Sequence, residues 1–483
     1  MSAVLALDQG TSQNKALVVR PDGSVAASCE VRVSSRYIGS DGVETNPEEM
    51  WSSLIAAANR AIEAGGERIE AVSLANQGES VLAWNPSTGE PSSAVIGWQD
   101  RRSGEVCQRL SAHKELVHNL TGLELDPYFS APKMSWLSTK VGSGDVMTTT
   151  DSWILYRLCG EYVTDIATAS RTLLMDLRCG EWSEDLCRIF GVNPVDLPSI
   201  VENTTVIGTT SMFGAEVPIV GLAVDQQAAL FGQHCLYPGE AKCTFGTGAF
   251  LLVNIGTEVL DLGNSLSTSV AWRHAGITTY CVDGQVYTAG AALDWLVRVS
   301  LLKDYEEIDV ALGESHNREV FLPALAGLAA PYWMPKVRAG FVGLSMDTDR
   351  YSLVAAVVEG IASNVATLAK DVESNLGAPL KLLRCDGGMT RSAGFMQLQA
   401  DLLGVPVEVS STPHATALGV AAMGRLGLGE TPTPEAAMSE IYSSSAYQPM
   451  MPQDEAEERL ARFARALNVM IDYEESDVRR GNP

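Results

Sequence analysis

The chain has too little positive charge for a surface that binds anionic polymers. Its 34 lysine and arginine residues stand against 59 aspartate and glutamate residues, which gives a formal net charge of −25. Nucleic acids and anionic membranes are bound by basic surfaces, so neither is an expected partner. A small anionic ligand is compatible with this balance if backbone N–H groups or a metal ion offset its charge locally.

Cysteine and histidine are too sparse and scattered to indicate a disulfide framework or a zinc site. The nine cysteines include no Cys-x-x-Cys pair, and the six histidines show no metal-type spacing. We therefore expect reduced thiols and a cytoplasmic protein without zinc. The start, "MSAVLALDQG", lacks the basic region of a signal peptide, and no run approaches the ~20 apolar residues of a membrane span.

What the sequence does contain is the composition of a large globular chain with a repeated pattern. Its 483 residues are 46 % hydrophobic and 19 % charged, enough for sizeable cores. The segments "LDQGTSQNKALVV" (7–19) and "TFGTGAFLLV" (244–253) both have the pattern of strand, Gly-Thr turn and strand. This predicts two similar α/β domains, 1–236 and 237–483, which meet at the Tyr237-Pro238-Gly239 loop and enclose a cleft.

Apolar runs between turn residues place the main strands and helices of this architecture. Asn46 as N-cap and Pro47 at the first position predict a helix to Ala64, which Gly65-Gly66 ends. Other helices are predicted at 287–302, 351–376 and 392–403. Strands are predicted at 4–7, 16–19, 25–33, 69–75, 219–224, 241–245, 250–253 and 380–383.

The two Gly-Thr turns, in matching places of the two halves, indicate phosphate binding. Backbone N–H groups in a tight turn form an anion-binding concavity, and Thr or Ser hydroxyls add donors. A single turn of this kind is more often structural, so the argument depends on the pair. A third glycine segment, "CDGGM" (385–389), lies between a predicted strand and a predicted helix. Such a turn suits the base and ribose of a nucleotide.

Two aspartates follow predicted strands, and each has two interpretations. Asp225 either caps a helix that starts at Gln226 or acts as a general base on an attacking hydroxyl. Asp8 either bonds the N–H groups of its own turn or holds Mg²⁺ through water. Phosphoryl transfer needs positioning, charge neutralisation and a residue near the nucleophile, and the second interpretation of each residue supplies one of these.

Long segments of the chain resemble the FGGY carbohydrate kinases and, within them, the glycerol-kinase branch. They occur in family order over nearly the whole chain and include "LDQGTS" (7–12), "NQGES" (76–80), "GWQDRR" (97–102), "DPYFSAPK" (126–133), "TASRTLLMDL" (168–177), "DQQAALFGQ" (225–233) and "CDGGMTRSAGFMQLQADLLGVPV" (385–407). The resemblance implies two actin-like, ribonuclease H-like α/β domains that flank a cleft with ATP and Mg²⁺. It also implies transfer of the γ-phosphoryl group to a primary hydroxyl of a small polyol or sugar. A homodimer or homotetramer is compatible with it.

The resemblance further implies a role for individual residues of these motifs. Asp225 would be the catalytic base and, with Asp8, would face the metal ion. The substrate pocket would be lined by Gly78, Glu79, Trp98, Asp100, Tyr128, Asp225, Gln226 and Phe250. The nucleotide and its phosphates would be held by Thr11, Ser12, Lys15, Gly246, Thr247, Gly290, Asp294, Gly387, Gly388 and Met389. For Trp98 and Tyr128, an ordinary core position is the alternative that the residues alone favour.

Two residues depart from the glycerol-kinase pattern. That branch usually has Asn-Gln-Arg-Glu where this chain has "NQGE" (76–79), and commonly a small residue where this chain has Asp100. A lost substrate-hydroxyl donor and an added carboxylate predict a larger and more acidic pocket. This favours a four- or five-carbon polyol or ketose over glycerol. The equal alternative is that Asp100 points outward or binds Arg101 or Arg102.

An actin-like ATPase and a non-catalytic sugar sensor are the alternatives to a kinase. An actin-like ATPase without a small-molecule acceptor needs no pocket of Glu, Trp, Tyr and Asp side chains beside the γ-phosphate. A non-catalytic sugar sensor does not need Asp8, Asp225 and both Gly-Thr turns, which are all present. The sequence therefore favours a polyol or sugar kinase.

Overall fold

The computed structural model describes residues 3–142, 144–260, 266–314, 318–334, 336–410, 413–438 and 444–479. The chain divides into two compact units. The first comprises Met1–Leu236, Gly256–Cys281 and His414–Tyr442, and the second comprises Tyr237–Ile255, Val282–Pro413 and Ser443–Pro483. The division into functional domains at 236/237 stays a prediction.

The strands follow the predicted alternation of hairpins and α/β connections. In chain order they are β1 (Ala3–Gln9), β2 (Gln13–Val19), β3 (Val25–Arg32), β4 (Ser35–Ile38), β5 (Gly42–Thr45), β6 (Ile69–Asn76), β7 (Val81–Trp84), β8 (Val95–Ile96), β9 (Val146–Thr149), β10 (Val163–Asp165), β11 (Met175–Asp176), β12 (Glu181–Trp182), β13 (Ser199–Val201), β14 (Val206–Thr210), β15 (Val217–Val224), β16 (Glu240–Phe245), β17 (Ala249–Gly256), β18 (Ser267–His274), β19 (Ile277–Val286), β20 (Val320–Leu322), β21 (Gly340–Val342), β22 (Leu382–Gly387), β23 (Val407–Ser410) and β24 (Ser444–Tyr447).

The helices include short ones around the sites and two long ones in the second unit. They are α1 (Pro47–Gly65), α2 (Gly104–Arg109), α3 (Lys114–Thr121), α4 (Ser130–Leu137), α5 (Thr150–Cys159), α6 (Ile166–Ser170), α7 (Glu184–Phe190), α8 (Asp225–Gly232), α9 (Gly290–Arg298), α10 (Glu307–Glu314), α11 (Arg350–Leu376), α12 (Ala393–Leu403), α13 (Ala415–Gly427), α14 (Pro434–Met438) and α15 (Gln453–Arg479). Short 3₁₀ turns lie at Ser111–His113, Pro194–Asp196 and Gly388–Arg391.

A six-stranded sheet, in the order β14-β15-β6-β1-β2-β3, is the centre of the first unit. Strand β1 pairs antiparallel with β2 and parallel with β6, which in turn pairs parallel with β15. The apolar run 4–7 is fully buried, as expected for a central strand that is covered on both faces. The carboxyl ends of β1, β6 and β15 therefore lie at one edge of the sheet.

Helices α8 and α13 pack so closely that only glycine fits at their crossing. A Cβ atom on Gly232 would lie 1.9 Å from the carbonyl oxygen of Ala415, and one on Gly419 would lie 2.0 Å from that of Ala228. Helix α13 also packs on β15, β6 and β1. This close approach of the backbones fixes α8, and hence its first residue, Asp225, against the sheet.

The sheet of the second unit repeats the pairing pattern of the first. Strands β19, β17, β16, β22, β23 and β24 lie side by side in that order. Strand β16 pairs antiparallel with β17 and parallel with β22, which pairs parallel with β23. A hairpin followed by two parallel strands is thus present in both units. The predicted repetition of a hairpin-led α/β pattern is confirmed.

The predicted strand at 380–383 is displaced in the structure. Strand β22 begins at Leu382 because its partner β16 begins at Glu240, and the two pair residue by residue through Phe245 and Gly387. Cys385, Asp386 and Gly387 therefore belong to the strand rather than to a turn. The turn is the 3₁₀ segment Gly388–Arg391, and α12 follows it with Ser392 as N-cap.

Helix α11 is long and apolar enough to cross a membrane by length and composition alone. Within the protein, however, 89 % of its apolar window is buried. It packs on α10, α12 and β20 of its own unit. Core helices of globular proteins pass the same test, so this helix is weak evidence for a membrane span.

Candidate active site

The first Gly-Thr turn, between β1 and β2, is bonded to two segments of the predicted substrate pocket. The Thr11 hydroxyl donates to Oε1 of Gln77 at 2.8 Å and accepts from Nε1 of Trp98 at 3.0 Å. The backbone N–H of Gln77 donates to the carbonyl of Gln9 at 2.7 Å. A hydroxyl has one hydrogen to donate, so a phosphate that binds the Thr11 hydroxyl has to replace Gln77 as its acceptor.

Asp8 and Lys15 form a cross-strand pair at the base of this turn. They are direct partners in the antiparallel register of β1 and β2. Burial raises the pKa of the Asp8 carboxyl to about 6, against the lowering effect of the Lys15 ammonium. A carboxylate with a raised pKa gains from any cation that binds next to it.

Asp225 stands where β15 ends and α8 begins. Its Oδ1 accepts from the N–H of Gln226 at 2.7 Å, so one carboxylate oxygen serves the first turn of the helix. The helix nevertheless begins at Asp225 itself, with Val224 as N-cap, and not at Gln226 as the capping interpretation assumed. The positive end of the helix dipole at this position favours an ionised carboxylate. Gln226, the second helical residue, is partly exposed.

Asp8 and Asp225 suit a hydrated magnesium ion by their chemistry and their place. Asp8 is the second-last residue of β1 and Asp225 directly follows β15, and β6 separates these two strands, so the strands lie about 10 Å apart at one sheet edge. Among the described residues, no group of three or more His, Cys, Asp or Glu side chains is close enough to hold a metal. Two carboxylates with the remaining positions left to water or phosphate are the ligand set that Mg²⁺ prefers.

Glu79 is held in the predicted pocket wall by a buried ion pair. Its Oε1 accepts from Nε of Arg171 at 2.7 Å, and each side chain is 6 % exposed. Its backbone has a φ of 60°, a left-handed conformation that costs a non-glycine residue of order 1–3 kcal/mol. The hydroxyl of Ser130 donates to the Glu79 carbonyl at 3.3 Å. This polar segment is therefore a fixed feature rather than a loose turn.

Trp98 and Tyr128 form an aromatic wall in the same unit. Their ring centroids are 5.6 Å apart with the planes at 62°, and Tyr128 meets Phe129 edge-on at 5.2 Å. The backbone N–H of Trp98 donates to the Ser80 hydroxyl at 3.1 Å, which ties this wall to the Glu79 segment. Both rings are partly exposed, so neither is an ordinary fully buried core residue.

Asp100 is committed to hydrogen bonds with β5 and with Arg102 of its own loop. It is 1 % exposed, and its carboxylate accepts from the N–H of Val43 at 2.8 Å. It also accepts from the backbone N–H of Arg102 at 3.0 Å and from Nε of Arg102 at 2.9 Å. The structure thus matches the alternative in which Asp100 pairs with Arg102, and this carboxylate gives no support to a more acidic pocket.

The second Gly-Thr turn is joined to the start of α9. The carbonyl of Gly246 accepts from the N–H of Gly290 at 2.9 Å, and the carbonyl of Thr247 accepts from the N–H of Ala291 at 3.0 Å. These bonds satisfy N–H groups that a helix start leaves without partners. A Cβ atom on Gly290 would lie 2.6 Å from the Gly246 carbonyl oxygen, so only glycine allows this approach.

The third glycine segment reaches the same turn from β22. Gly387 has a φ of 98°, and a Cβ atom on it would lie 2.2 Å from the Phe245 carbonyl oxygen. The structure therefore brings the predicted nucleotide residues Gly246, Thr247, Gly290, Gly387 and Gly388 together. Gly246, Thr247, Gly387 and Gly388 are exposed, and Met389 beneath them is buried.

Two further predicted residues of the second unit, Asp294 and Phe250, lie on elements that adjoin this turn, α9 and β17. Asp294 is exposed on α9, one turn after Gly290, and accepts from the Tyr305 hydroxyl at 2.9 Å. Phe250 is partly exposed on β17, opposite Thr244 of β16. Both are therefore accessible, as residues that contact a ligand need to be.

Sequence reasoning gave no role to Gln77, Arg171, Lys133 or Val224. Lys133 is fully buried. Its ammonium group donates to the Tyr128 carbonyl and, at 3.0 Å, to the Phe129 carbonyl. Burial lowers the pKa of Lys133 to about 7, against the opposing effect of the Glu79 carboxylate. The sequence does mark two of them. Arg171 and Lys133 are cations whose direct neighbours in the quoted motifs are apolar or carry a hydroxyl group.

Comparisons with known proteins agree with this architecture. The profile for the FGGY family of carbohydrate kinases, N-terminal domain, matches residues 3–232, and that for the C-terminal domain of the same family matches residues 241–427. The chain belongs to the FGGY family of carbohydrate kinases. It is an ATP-dependent phosphotransferase with an alcohol acceptor, similar to glycerol kinases. The predictions of family, fold class and kinase activity are confirmed.

Several relatives cover almost the whole chain. A glycerol kinase of Myxococcus xanthus is 38 % identical over 488 residues, which are 96 % of this chain and 98 % of that protein. A glycerol kinase of Aromatoleum aromaticum is 37 % identical over 487 residues, 97 % of this chain and 98 % of that protein. The crystal structure of Plasmodium falciparum glycerol kinase with ADP has a TM-score of 0.93 at 29 % identity, with 97 % and 98 % of the two chains covered. A xylulose kinase of Lactobacillus acidophilus has a TM-score of 0.88 at 20 % identity, covering 99 % of this chain and 98 % of its own, which shows the shared fold.

Proposed function

We propose that Asp225 is the general base that takes the proton of the acceptor hydroxyl as the γ-phosphoryl group of ATP is transferred. The register of β15 and β6 supports this, because it pairs Val224 with Asn76 and so sets Asp225 level with the segment 77–80. A base at this point adjoins the segment that carries Glu79. Phosphoryl transfer gains mainly from such positioning and from charge neutralisation.

The acceptor would lie against Glu79, Trp98, Tyr128 and Gln226. The aromatic faces suit the C–H side of a polyol, and the Glu79 carboxylate accepts from its hydroxyls. The ion pair with Arg171 supports this role because it holds that carboxylate in one orientation. Phe250 stays a prediction from the family resemblance.

The nucleotide would be held by the two Gly-Thr turns, each in its own unit. In the first unit, Thr11, Ser12 and Lys15 would contact phosphate oxygens. In the second unit, the exposed cluster of Gly246, Thr247, Gly290, Gly387 and Gly388, with Asp294 and Met389, would contact the nucleotide. Asp8 and Asp225 would hold Mg²⁺, which neutralises the charge on the phosphates.

The acceptor itself would be a polyol or ketose of four or five carbons. Gly78 supports this, because the segment lacks the arginine that donates to a substrate hydroxyl in glycerol kinases. Glycerol is the competing acceptor, supported by the glycerol kinases at 38 % and 37 % identity. A panel of three-, four- and five-carbon polyols and ketoses, assayed by ADP release, distinguishes the two. The highest kcat/KM with glycerol would contradict the longer acceptor.

Asp225→Asn tests the catalytic assignment. The amide keeps the size of the side chain but is not a base, so we expect kcat to fall at least ~10²-fold while ADP still binds. Binding is measured by isothermal titration calorimetry with the full chain. Asp22→Asn, in an exposed turn after β2, is the matched control and should leave both quantities unchanged.

The ADP-release assay with the panel of acceptors also distinguishes a kinase from an actin-like ATPase. A kinase releases ADP in proportion to phosphorylated acceptor. An ATPase without an acceptor would release ADP at a rate that no polyol or sugar changes. That result, or full kcat in Asp225→Asn, would contradict the proposal.

A further inference from the structure

We propose that Lys133 is a positioning residue for the acceptor: its buried ammonium group holds the chain that carries Tyr128, and with it the aromatic wall of Trp98 and Tyr128. This inference rests on the proposed function, in which that wall and Glu79 contact the acceptor. Lys133 is the fourth residue of α4 and is 0 % exposed, so it acts through other residues and does not touch the acceptor.

The Lys133 ammonium group reaches back over the start of its own helix. It donates to the carbonyl of Tyr128 and, at 3.0 Å, to the carbonyl of Phe129. Phe129 is the N-cap of α4, and a phenylalanine side chain has no oxygen with which to cap the first turn. Two successive carbonyls that are bonded to one charged donor fix the peptide planes on both sides of Phe129.

The backbone of Tyr128 is held from two sides. Its N–H donates to Oδ1 of Asp126 at 2.8 Å, and its carbonyl accepts from Lys133. The Asp126 carboxylate is 39 % exposed and pairs with Arg101 at 2.6 Å, so water and salt compete for it. The bond from Lys133 is buried and does not face this competition. Lys133 is therefore the firmer of the two anchors for Tyr128, whose ring meets Trp98 at 5.6 Å.

The segment that Lys133 holds also contacts the surroundings of Glu79. The Arg171 guanidinium lies 5.3 Å from the centre of the Phe129 ring and donates to the Glu79 carboxylate at 2.7 Å. The hydroxyl of Ser130, the residue after Phe129, donates to the Glu79 carbonyl at 3.3 Å. A shift of this segment therefore changes both parts of the proposed acceptor site, the aromatic wall and Glu79.

A buried ammonium group at this position costs stability, which favours a role in function. Burial lowers the pKa of Lys133 from 10.5 to about 7. The nearby carboxylates, of which Glu79 has the largest effect, oppose this shift without cancelling it. The folded protein therefore binds the proton less tightly than the unfolded chain, and stability is lost as the pH falls from about 10.5 through about 7. Apolar replacements of buried charges are often neutral or stabilising, so stability alone does not account for a lysine here.

Lys133→Met tests the proposal, because methionine keeps the length of the side chain and removes both the charge and the donors. Steady-state kinetics with the full chain measures KM for ATP and for the acceptor that the wild-type enzyme takes best from glycerol, ribitol and ribulose. We expect the acceptor KM to rise at least ~10-fold and the KM for ATP to stay within about twofold. Lys133→Arg keeps a buried cation with donors and should restore most of the loss.

Leu137→Ala is the matched control for a loss of stability in the same helix. Leu137 is a buried residue one turn beyond Lys133, in the core cluster with Phe129 and Met134. The substitution should lower the melting temperature and leave the acceptor KM unchanged, because the carbonyls of Tyr128 and Phe129 keep their donor. If Lys133→Met does not fold, Lys133→Gln, which keeps a neutral donor of shorter reach, takes its place with the same expected direction.

A double-mutant cycle shows whether Lys133 acts through the aromatic wall. In a Tyr128→Ala background, the ring that Lys133 positions is already absent. Lys133→Met should then raise the acceptor KM much less than in the wild-type background, by under about threefold.

The proposal is overturned if Lys133→Met leaves the acceptor KM unchanged, if it raises the KM for ATP equally, or if its effect is the same in the Tyr128→Ala background. An equal rise of the acceptor KM in Leu137→Ala would also overturn it. Failure of the proposed function gives a different result: the wild-type enzyme then releases ADP at a rate that no polyol or ketose changes, and the positioning role falls with it.

Discussion

Glu79, Arg171 and Thr11 show how single side chains shape this site. Glu79 occupies a left-handed backbone conformation, and a buried bond of 2.7 Å from Arg171 holds its carboxylate. Thr11 joins the first Gly-Thr turn to Trp98 through its hydroxyl. Strained backbone and committed hydroxyls of this kind are typical of functional sites, where geometry is held at a cost in stability.

The bond between Trp98 and Thr11 links the aromatic wall of Trp98 and Tyr128 to the first Gly-Thr turn. Trp98→Phe removes the indole N–H that Thr11 accepts at 3.0 Å and leaves the aromatic ring. We expect KM to rise about 3- to 10-fold for ATP as well as for the acceptor, since a donor–acceptor pair of this kind contributes about 1 kcal/mol. Steady-state kinetics with each substrate varied in turn measures this.

Trp136→Phe is the control for this prediction. Trp136 lies on α4 with Arg102 and Lys140 against its ring, in a partly exposed position. It should leave both KM values near those of the wild type. A rise confined to the acceptor KM in Trp98→Phe would mean that the bond does not support the turn.

The raised pKa of Asp8 predicts that an ionised carboxylate at this position lowers the free energy of unfolding. Its pKa is about 6 in the folded protein against 3.8 in an unperturbed carboxyl. The folded state therefore holds the proton more tightly, and stability is lost as the pH rises from about 4 through about 6. The difference amounts to at most about 3 kcal/mol.

Asp8→Asn should for this reason raise the melting temperature at pH 8 and change it little at pH 4, while abolishing the kinase activity. The measurement is thermal unfolding in EDTA, where no metal ion offsets the carboxylate. Asp22→Asn, at a carboxyl whose pKa is lowered by bonds from Ser24, should not raise the melting temperature at pH 8. An equal gain of Asp8→Asn at both pH values would argue against a titrating Asp8.

At the scale of elements, hydrogen bonds at strand ends and helix starts hold the site together. The predicted cap of α1 is present, since Oδ1 of Asn46 accepts from the N–H groups of Glu48 at 2.9 Å and Glu49 at 3.1 Å. The start of α9 is capped differently, by the carbonyls of the Gly246-Thr247 turn. The first cap stabilises the fold, and the second one also positions candidate ligand contacts.

Asn46→Ala should destabilise the first unit without changing the chemistry. Loss of an N-cap side chain costs about 1 kcal/mol, which lowers the melting temperature of a unit of this size by about 2–4 °C. Calorimetry detects the shift, and kcat at 25 °C should stay unchanged. Ser52→Ala, on the exposed side of the same helix, is the control and should leave the melting temperature unchanged.

At the scale of the whole molecule, the net charge of −25 opposes the approach of an anionic nucleotide. Repulsion between separated charges is screened beyond about 8 Å at 0.15 M salt. We expect kcat/KM for ATP to rise, by less than about tenfold, when KCl is raised from 10 to 150 mM at constant Mg²⁺. The neutral acceptor provides the internal control, because its KM should not change. A fall in kcat/KM for ATP would show that local positive charge, such as Lys15, dominates the encounter.

Much of the fold was accessible from the sequence because its signals are local. Asn46 and Pro47 begin α1, and the apolar runs at 4–7 and 219–224 form central strands, since capping and burial depend on residues that are close in sequence. The start of β22 was misplaced because it depends on the position of β16, some 140 residues earlier in the chain. The predicted nucleotide glycines are gathered by the pairing of β16 with β22 and by the start of α9.

The sequence by itself determined the hairpin-led α/β pattern, the acidic surface charge, and the motifs that mark Asp225 and the Gly-Thr turns. Only the tertiary structure decided what faces these residues: Asp100 accepts from the N–H of Val43, Glu79 meets Arg171, and Gly78 meets Val224. The physical reason is that chemical type and local propensity are properties of a residue and its neighbours in sequence. A partner at 2.7 Å, or a methyl group that excludes a side chain, depends on strands and helices that come from distant parts of the chain.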